Sequence, residues 1–209
     1  MGVRAYAQSA QWYDLVIEPL IKRLRMIGLA MFPPLKGMSV LDVGCGTGTH
    51  LRLYQEAGCR VFGIDLAPAM LSVAHRKLDG LVLGDGARMP FPDESFDLVT
   101  AMLMFHEMPL ALRSPVLIDA GRVVKRSGRL LIIDYHPGLV RSPEGRLHRA
   151  IITTIENLAS REHSSNYRSF MSNGGLVPLI IECGLSVDKE RIVGGGTLGL
   201  YLLRPCIQT

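Results

Sequence analysis

Short apolar runs alternate with amphipathic stretches through the first two thirds of the chain. Ser39–Val43 is one apolar run, and Thr49–Ala57 after it reads as a helix ending near Gly58. The pair repeats as a strand over Arg60–Ile64 and a helix over Pro68–Leu78, followed by a third strand at Leu81–Leu83. A fourth strand, Phe96–Leu103, follows the turn residues Phe91-Pro92-Asp93-Glu94-Ser95. Pro109–Val124 reads as a helix, and Arg129–Asp134 as a fifth strand after Ser127-Gly128. Short apolar runs bounded by turn residues are what fully buried strands look like in sequence. Strands that alternate with helices pair in parallel, with right-handed crossovers and helices on both faces of the sheet.

The two ends read differently. Ala5–Met31 has Trp12, Val16, Leu20, Leu24 and Ile27 near one helical stripe, with Pro19 as a candidate helix start and Pro33-Pro34 as the stop. After Pro137 comes a polar helical insertion, about Glu144–Arg161, and then a helix over Leu176–Cys183. Ser186–Val193 and Thr197–Leu203 read as two strands joined by Gly194-Gly195-Gly196. The expected fold is therefore α/β and doubly wound. It has a seven-stranded, mostly parallel sheet, a C-terminal antiparallel hairpin strand and an N-terminal helical lid. One domain, 1–209, is expected, with the lid at 1–36, a ligand-binding core at 37–136, and the insertion and last strands at 137–209.

Composition narrows the class. Of 209 residues, 48% are hydrophobic and 20% charged, enough apolar material for a real core and against extensive disorder. No apolar run approaches the ~18 residues of a membrane span, so stable membrane insertion is not expected. The N-terminus lacks the charge and apolar pattern of a signal peptide. Cys45, Cys59, Cys183 and Cys206 have no CxxC spacing, which argues against a disulfide framework or structural zinc and for a reducing, cytoplasmic setting. A net charge of +4 falls short of the clustered basic excess of a nucleic-acid binder.

The strongest chemical signal is Leu41-Asp42-Val43-Gly44-Cys45-Gly46-Thr47-Gly48, between an apolar strand and a helix. In open α/β sheets ligands bind beyond the carboxyl ends of the strands, and an acid about 20 residues further on can hold a ribose. Asp65 stands at that place. It also suits the cap of the helix at Pro68, just as Asp85-Gly86 is a turn signal in its own right. In the dinucleotide fingerprint the third glycine would come one residue later, and a pyrophosphate would want the positive end of the helix. Asp42 instead suits a cationic ligand: an adenosine that carries an amine and no phosphate.

Together, Leu41–His50, Val61–Leu71 and Leu83–Met108 resemble the class I S-adenosyl-L-methionine (SAM)-dependent methyltransferases, most closely the UbiE-like group that methylates small molecules. The resemblance implies a Rossmann-like sheet and SAM as cofactor. Gly44, Gly46 and Gly48 would form the floor under the methionine part, with Asp42 bracing that loop. Asp65 would hold the ribose, Leu66 and Met70 line the adenine pocket, and Asp85, Gly86 and Ala87 address the ring. Ala101 and Met102 would sit near the sulfonium, and Tyr6 and Tyr13 match aromatic lid positions, Tyr13 on the cofactor and Tyr6 on the acceptor. Tyr6, Trp12 and Tyr13 serve equally as anchors of the first helix, and Met102 as core.

Methyl transfer from a sulfonium asks mainly for positioning and water exclusion. A base is needed only where the acceptor loses a proton. His106, in Met104-Phe105-His106-Glu107-Met108, is the candidate base, and its alternative is a loop histidine touching SAM or solvent. Tyr135 and His136 follow the fifth strand as candidate acceptor-pocket residues. His163 and Tyr167 fall in the insertion; they could reach the pocket, but surface positions are expected. There is no Asn-Pro-Pro-Tyr-like run after the fourth strand, no cysteine there, and Asp134 stands nearly alone. Nucleobase amino groups, arsenic and a magnesium-bound catechol are thereby disfavoured, and no metal is expected. What remains is a small, apolar or amphipathic acceptor such as a quinone, lipid or secondary metabolite, used by a monomer or homodimer. The alternatives are a non-catalytic SAM-binding protein and an NAD-dependent oxidoreductase on a similar fold.

Overall fold

The computed structural model describes residues 18–205, with side chains from residue 21. Tyr6, Trp12 and Tyr13 therefore lie outside the described residues. The chain divides into two compact units, Met1–Pro33 and Pro34–Thr209. The first contains helix α1 (Glu18–Met31). No described helix is long and apolar enough to cross a membrane.

The second unit is built on one seven-stranded sheet: β1 (Ser39–Val43), β2 (Arg60–Asp65), β3 (Leu81–Leu83), β4 (Phe96–Met102), β5 (Val124–Tyr135), β6 (Ser186–Val193) and β7 (Leu198–Arg204). The spatial order is β3-β2-β1-β4-β5-β7-β6. Strands β1 to β5 run parallel, and β7 is antiparallel to both β5 and β6. Every residue of β1 is buried, as are Leu130–Ile133 of β5. That is what continuous apolar strands need when they are covered on both faces. The main core joins Leu41, Val43, Val99, Leu130 and Ile132 of the sheet to Val116, Leu117 and Phe170 of the helices.

The crossovers are α2 (Thr49–Glu56), α3 (Pro68–Ala74) and α4 (Leu110–Val123), with a 3-10 turn at Phe105–Glu107 before α4. α3 ends four residues before the expected Leu78, and turns complete the segment. β5 begins at Val124 rather than Arg129: Phe96 pairs with Val124 before the register shifts toward Leu98–Arg129, so Ser127-Gly128 lies within the strand.

The largest departure is the insertion, which is two helices, α5 (Pro143–Leu158) and α6 (Arg161–Ser172), followed by α7 (Leu176–Glu182). The break is chemical. Ser160 takes extended backbone and its hydroxyl accepts from the His163 N–H (3.2 Å), which starts a new helix. At the other end, α5 leaves the sheet through a glycine–glycine contact. A Cβ on Gly195 would lie 2.9 Å from the Gly145 nitrogen, so the first turn of α5 rests directly on the β6–β7 turn.

Candidate active site

Because β3, β2, β1 and β4 are parallel neighbours, their carboxyl ends share one edge of the sheet. Asp42, Asp65 and Asp85 follow from that placement, but they do different things. Asp65 is half-buried and ties two loops together: its Oδ2 accepts from the Gly46 N–H (2.7 Å) and its Oδ1 from the Ala67 N–H (2.8 Å). Each carboxylate oxygen has a second lone pair, so a ligand hydroxyl can still be held there. Asp42 is buried and accepts from Thr100 Oγ1 (2.6 Å), bracing β1 against β4. Asp85 is exposed and accepts from the Ala87 N–H (2.8 Å), closing a turn over buried Gly86.

The glycine loop is open where a ligand would lie. Gly46 has φ +53°, and a Cβ there would meet no atom within 4 Å. A carboxylate fixed by two amides, with free space beside it, fits the ribose and amino-acid parts of a molecule such as SAM. Gly44 donates to Ile64 O (2.8 Å), and Gly48, at φ 75°, starts α2. Leu66 is exposed, while Met70 and Met102 are half-buried. Ala101 packs its methyl into the core, so only its backbone can face a ligand.

A second cluster adjoins this loop. A Cβ on Gly44 would lie 2.9 Å from Met104 Sδ. Leu103, at φ 54°, donates to Ile133 O (2.8 Å) and turns the chain from β4 into the 3-10 turn. That places His106 against Asp134, the last buried residue of β5. The Asp134 carboxylate accepts from the Phe105 N–H (2.9 Å), the Tyr135 N–H (2.7 Å) and His106 Nδ1 (2.7 Å). With Nδ1 donating to a carboxylate, Nε2 is the free ring atom. The nearest carboxylate oxygens to Nε2 are Glu107 Oε1 at 3.8 Å and Glu156 Oε1 at 3.9 Å, beyond hydrogen-bond reach. Burial alone would push the imidazole pKa down. Asp134, by charge and hydrogen bond, together with Glu107 and Glu156, outweighs burial, and the pKa is raised above the ordinary histidine value.

The insertion completes the cluster. Tyr135 Oη donates to Glu156 Oε1 (2.7 Å), and His163 Nε2 bonds the other Glu156 oxygen. The His106 ring centroid lies 4.5 Å from that of Tyr135, 5.8 Å from His163 and 6.4 Å from Tyr167. Arg113, also buried, holds the 3-10 turn from α4. It donates to Phe105 O (3.1 Å), Met108 O (2.9 Å) and Asn166 O (2.8 Å). One ligand atom each of His106, Glu107 and His163 lie within 4.8 Å of one another.

The structure thus brings His106 and Tyr135 together but not His136. His136 lies one step past the end of β5, and its Nδ1 instead meets Tyr201 Oη at 3.1 Å. The expected surface positions of His163 and Tyr167 are corrected: Tyr167 is buried and His163 half-buried, because α6 folds onto the 3-10 turn. Sequence reasoning missed Asp134 and Glu156 as partners of His106. The spacing of His163, Tyr167 and Phe170, a helical i, i+4, i+7 stripe, was the available signal.

Comparisons with known proteins agree with this geometry. A family model described as a methyltransferase domain matches residues 41–132. A demethylmenaquinone methyltransferase of Tropheryma whipplei is 31% identical over 214 residues, covering 95% of this chain and 82% of its own. One of Thermotoga maritima is also 31% identical, covering 91% and 90%. A crystal structure of a SAM-dependent methyltransferase from Aquifex aeolicus shares the fold at TM-score 0.59 and 22% identity, over 86% of this chain and 89% of that one.

Proposed function

We propose the following reaction from the premise that the chain belongs to the class I SAM-dependent methyltransferases, in their UbiE-like group, and transfers a methyl group to a small acceptor. The acceptor is an apolar or amphipathic molecule whose reacting position stands next to an ionisable hydroxyl. A reduced quinone ring is the leading case, since the relatives named above are demethylmenaquinone methyltransferases. The products are the methylated acceptor, S-adenosylhomocysteine and one proton. SAM supplies a methyl carbon already activated by the sulfonium.

The chain's residues supply position and the proton sink. Asp65, held by the Gly46 N–H, orients the nucleoside end, and the opening above Gly46 accommodates the methionine end. Met104, against Gly44, joins this floor to the acceptor side. His106 is the base: Asp134 fixes its ring through Nδ1, so Nε2 receives the acceptor's hydroxyl proton. Tyr135 and Tyr167 supply flat faces for a ring. The observation that carries the reading is this buried, carboxylate-held imidazole with no hydrogen bond at Nε2, two residues past Met104, which packs on Gly44.

The test measures S-adenosylhomocysteine formation with reduced demethylnaphthoquinone, lipid and phenolic acceptors. His106→Ala should lower kcat by roughly 10²–10⁴-fold with SAM affinity unchanged. Equal losses in turnover and SAM affinity would leave His106 as a mere cofactor contact. Tight SAM binding with no turnover on any acceptor would favour a non-catalytic SAM-binding protein.

A further inference from the structure

Helices α5 and α6 carry a second feature that methyl transfer at His106 does not use. Between them lies a groove of about 410 Å³, open to solvent and lined by Arg149 and Thr153 of α5 and by Tyr167, Arg168, Met171 and Ser172 of α6, among others. Two guanidinium groups share this groove. Among the described residues, neither has a carboxylate within ion-pair distance, whereas Arg52, Arg122, Arg126, Arg129 and Arg204 each do.

Arg149 spends one terminal nitrogen on three carbonyls: His136 O (2.7 Å), Gly138 O (3.2 Å) and Gly196 O (3.3 Å). This holds the side chain in place without neutralising it, and its buried Nε has no hydrogen-bond partner. Arg168 is held through one terminal nitrogen by Asn157 Oδ1 (3.1 Å) and Ser164 Oγ (2.6 Å). Both forks are thus fixed by neutral groups and retain unused donors. Guanidinium forks match the oxygen geometry of carboxylates and phosphates. Thr153 Oγ1 and Tyr167 Oη lie 3.4 Å apart on the same wall and leave one hydroxyl donor between them, while Ser172 Oγ donates to Ser169 O (3.1 Å).

The groove adjoins the reaction centre. Tyr167 lines it, and the same ring lies 5.5 Å from Tyr135 and 6.4 Å from His106. We propose that this groove is an oxyanion subsite that binds a carboxylate or phosphate group carried by the methyl acceptor, so that among amphipathic rings it selects one with an acidic substituent. This rests on the reading of His106 as the acceptor-side base. A free phosphate ion would satisfy the same donors, so the test must separate the two sources.

The probes are inorganic phosphate and pyrophosphate, titrated calorimetrically into the full-length protein, with SAM titrated in parallel. One-site binding that weakens at least tenfold in Arg168→Met, with SAM affinity unchanged, is the expected result. Arg168 is exposed, so its substitution leaves the fold intact, whereas Arg149→Met also removes the carbonyl clamp. Absent binding, or binding indifferent to Arg168→Met, overturns the subsite. In turnover assays phosphate should compete with the acceptor, and Arg168→Met should raise the acceptor KM with little change in kcat. Inhibition that no acceptor concentration relieves would overturn the acceptor assignment and leave a free-anion site. Loss of SAM binding in the unmodified protein would count against the methyltransferase reading itself, a separate failure.

Discussion

The two halves of the site are built from different materials. The proposed nucleoside side is built of glycines and one carboxylate that two backbone amides hold, drawn from β1, β2 and the loops that follow them. The acceptor side is made of side chains: His106 from the 3-10 turn, Asp134 and Tyr135 from β5, Glu156 from α5 and His163 from α6. The first half can change little, because its groups belong to the main chain. The part of the second half that lies outside β5 can change residue by residue without disturbing the sheet. A fixed donor and a varied acceptor call for that division.

The sharpest way to break it is to unfasten the acceptor half alone. Arg113→Met strips three carbonyls of their buried donor and should cost about 2–4 kcal/mol of stability, read by chemical denaturation. SAM affinity of the folded variant should stay unchanged, and a parallel loss would show that the halves are coupled. The opposite cut is Asp65→Ala, which should weaken SAM binding by about 1–3 kcal/mol in calorimetry, the worth of a charged hydrogen-bond partner. Unaltered affinity would remove Asp65 from the ribose. The smallest effect is on pH dependence. The base must be neutral, and its raised pKa keeps it protonated to higher pH, so kcat falls as pH drops through a value above the ordinary histidine range. The groups facing it are Asp134, Glu107, Glu156, His163 and Arg113. Glu156→Gln removes a negative charge that favours the imidazolium, so the acid limb should move to lower pH. A limb that stays put, or moves upward, would detach Glu156 from His106.

The same division decided what could be read from sequence. Asp42, the glycine loop, Asp65 and Asp85 are short-range features, each a strand end followed by turn residues, and the strand order converts them into one edge. His106 also stood out, as a histidine just past β4. Its partners did not, because Asp134 and Glu156 follow it by 28 and 50 residues and no local pattern links them. His163 and Tyr167 were misjudged for a related reason. A polar insertion reads as a surface, and only the break at Ser160 turns its second half inward. His136 shows the limit of proximity in sequence, since one step past the end of β5 the side chain turns to Tyr201 instead.

The contact between Gly145 and Gly195 has a consequence for how such an enzyme diversifies. It anchors the root of α5, while Arg149, Asn166, Tyr167 and Phe170 fasten the inward faces of the insertion helices, which leaves their outward faces exchangeable. Exchanging the exposed residues of α5 and α6, with both glycines and those inward contacts kept, should change how acceptors are admitted without retuning the methyl donor.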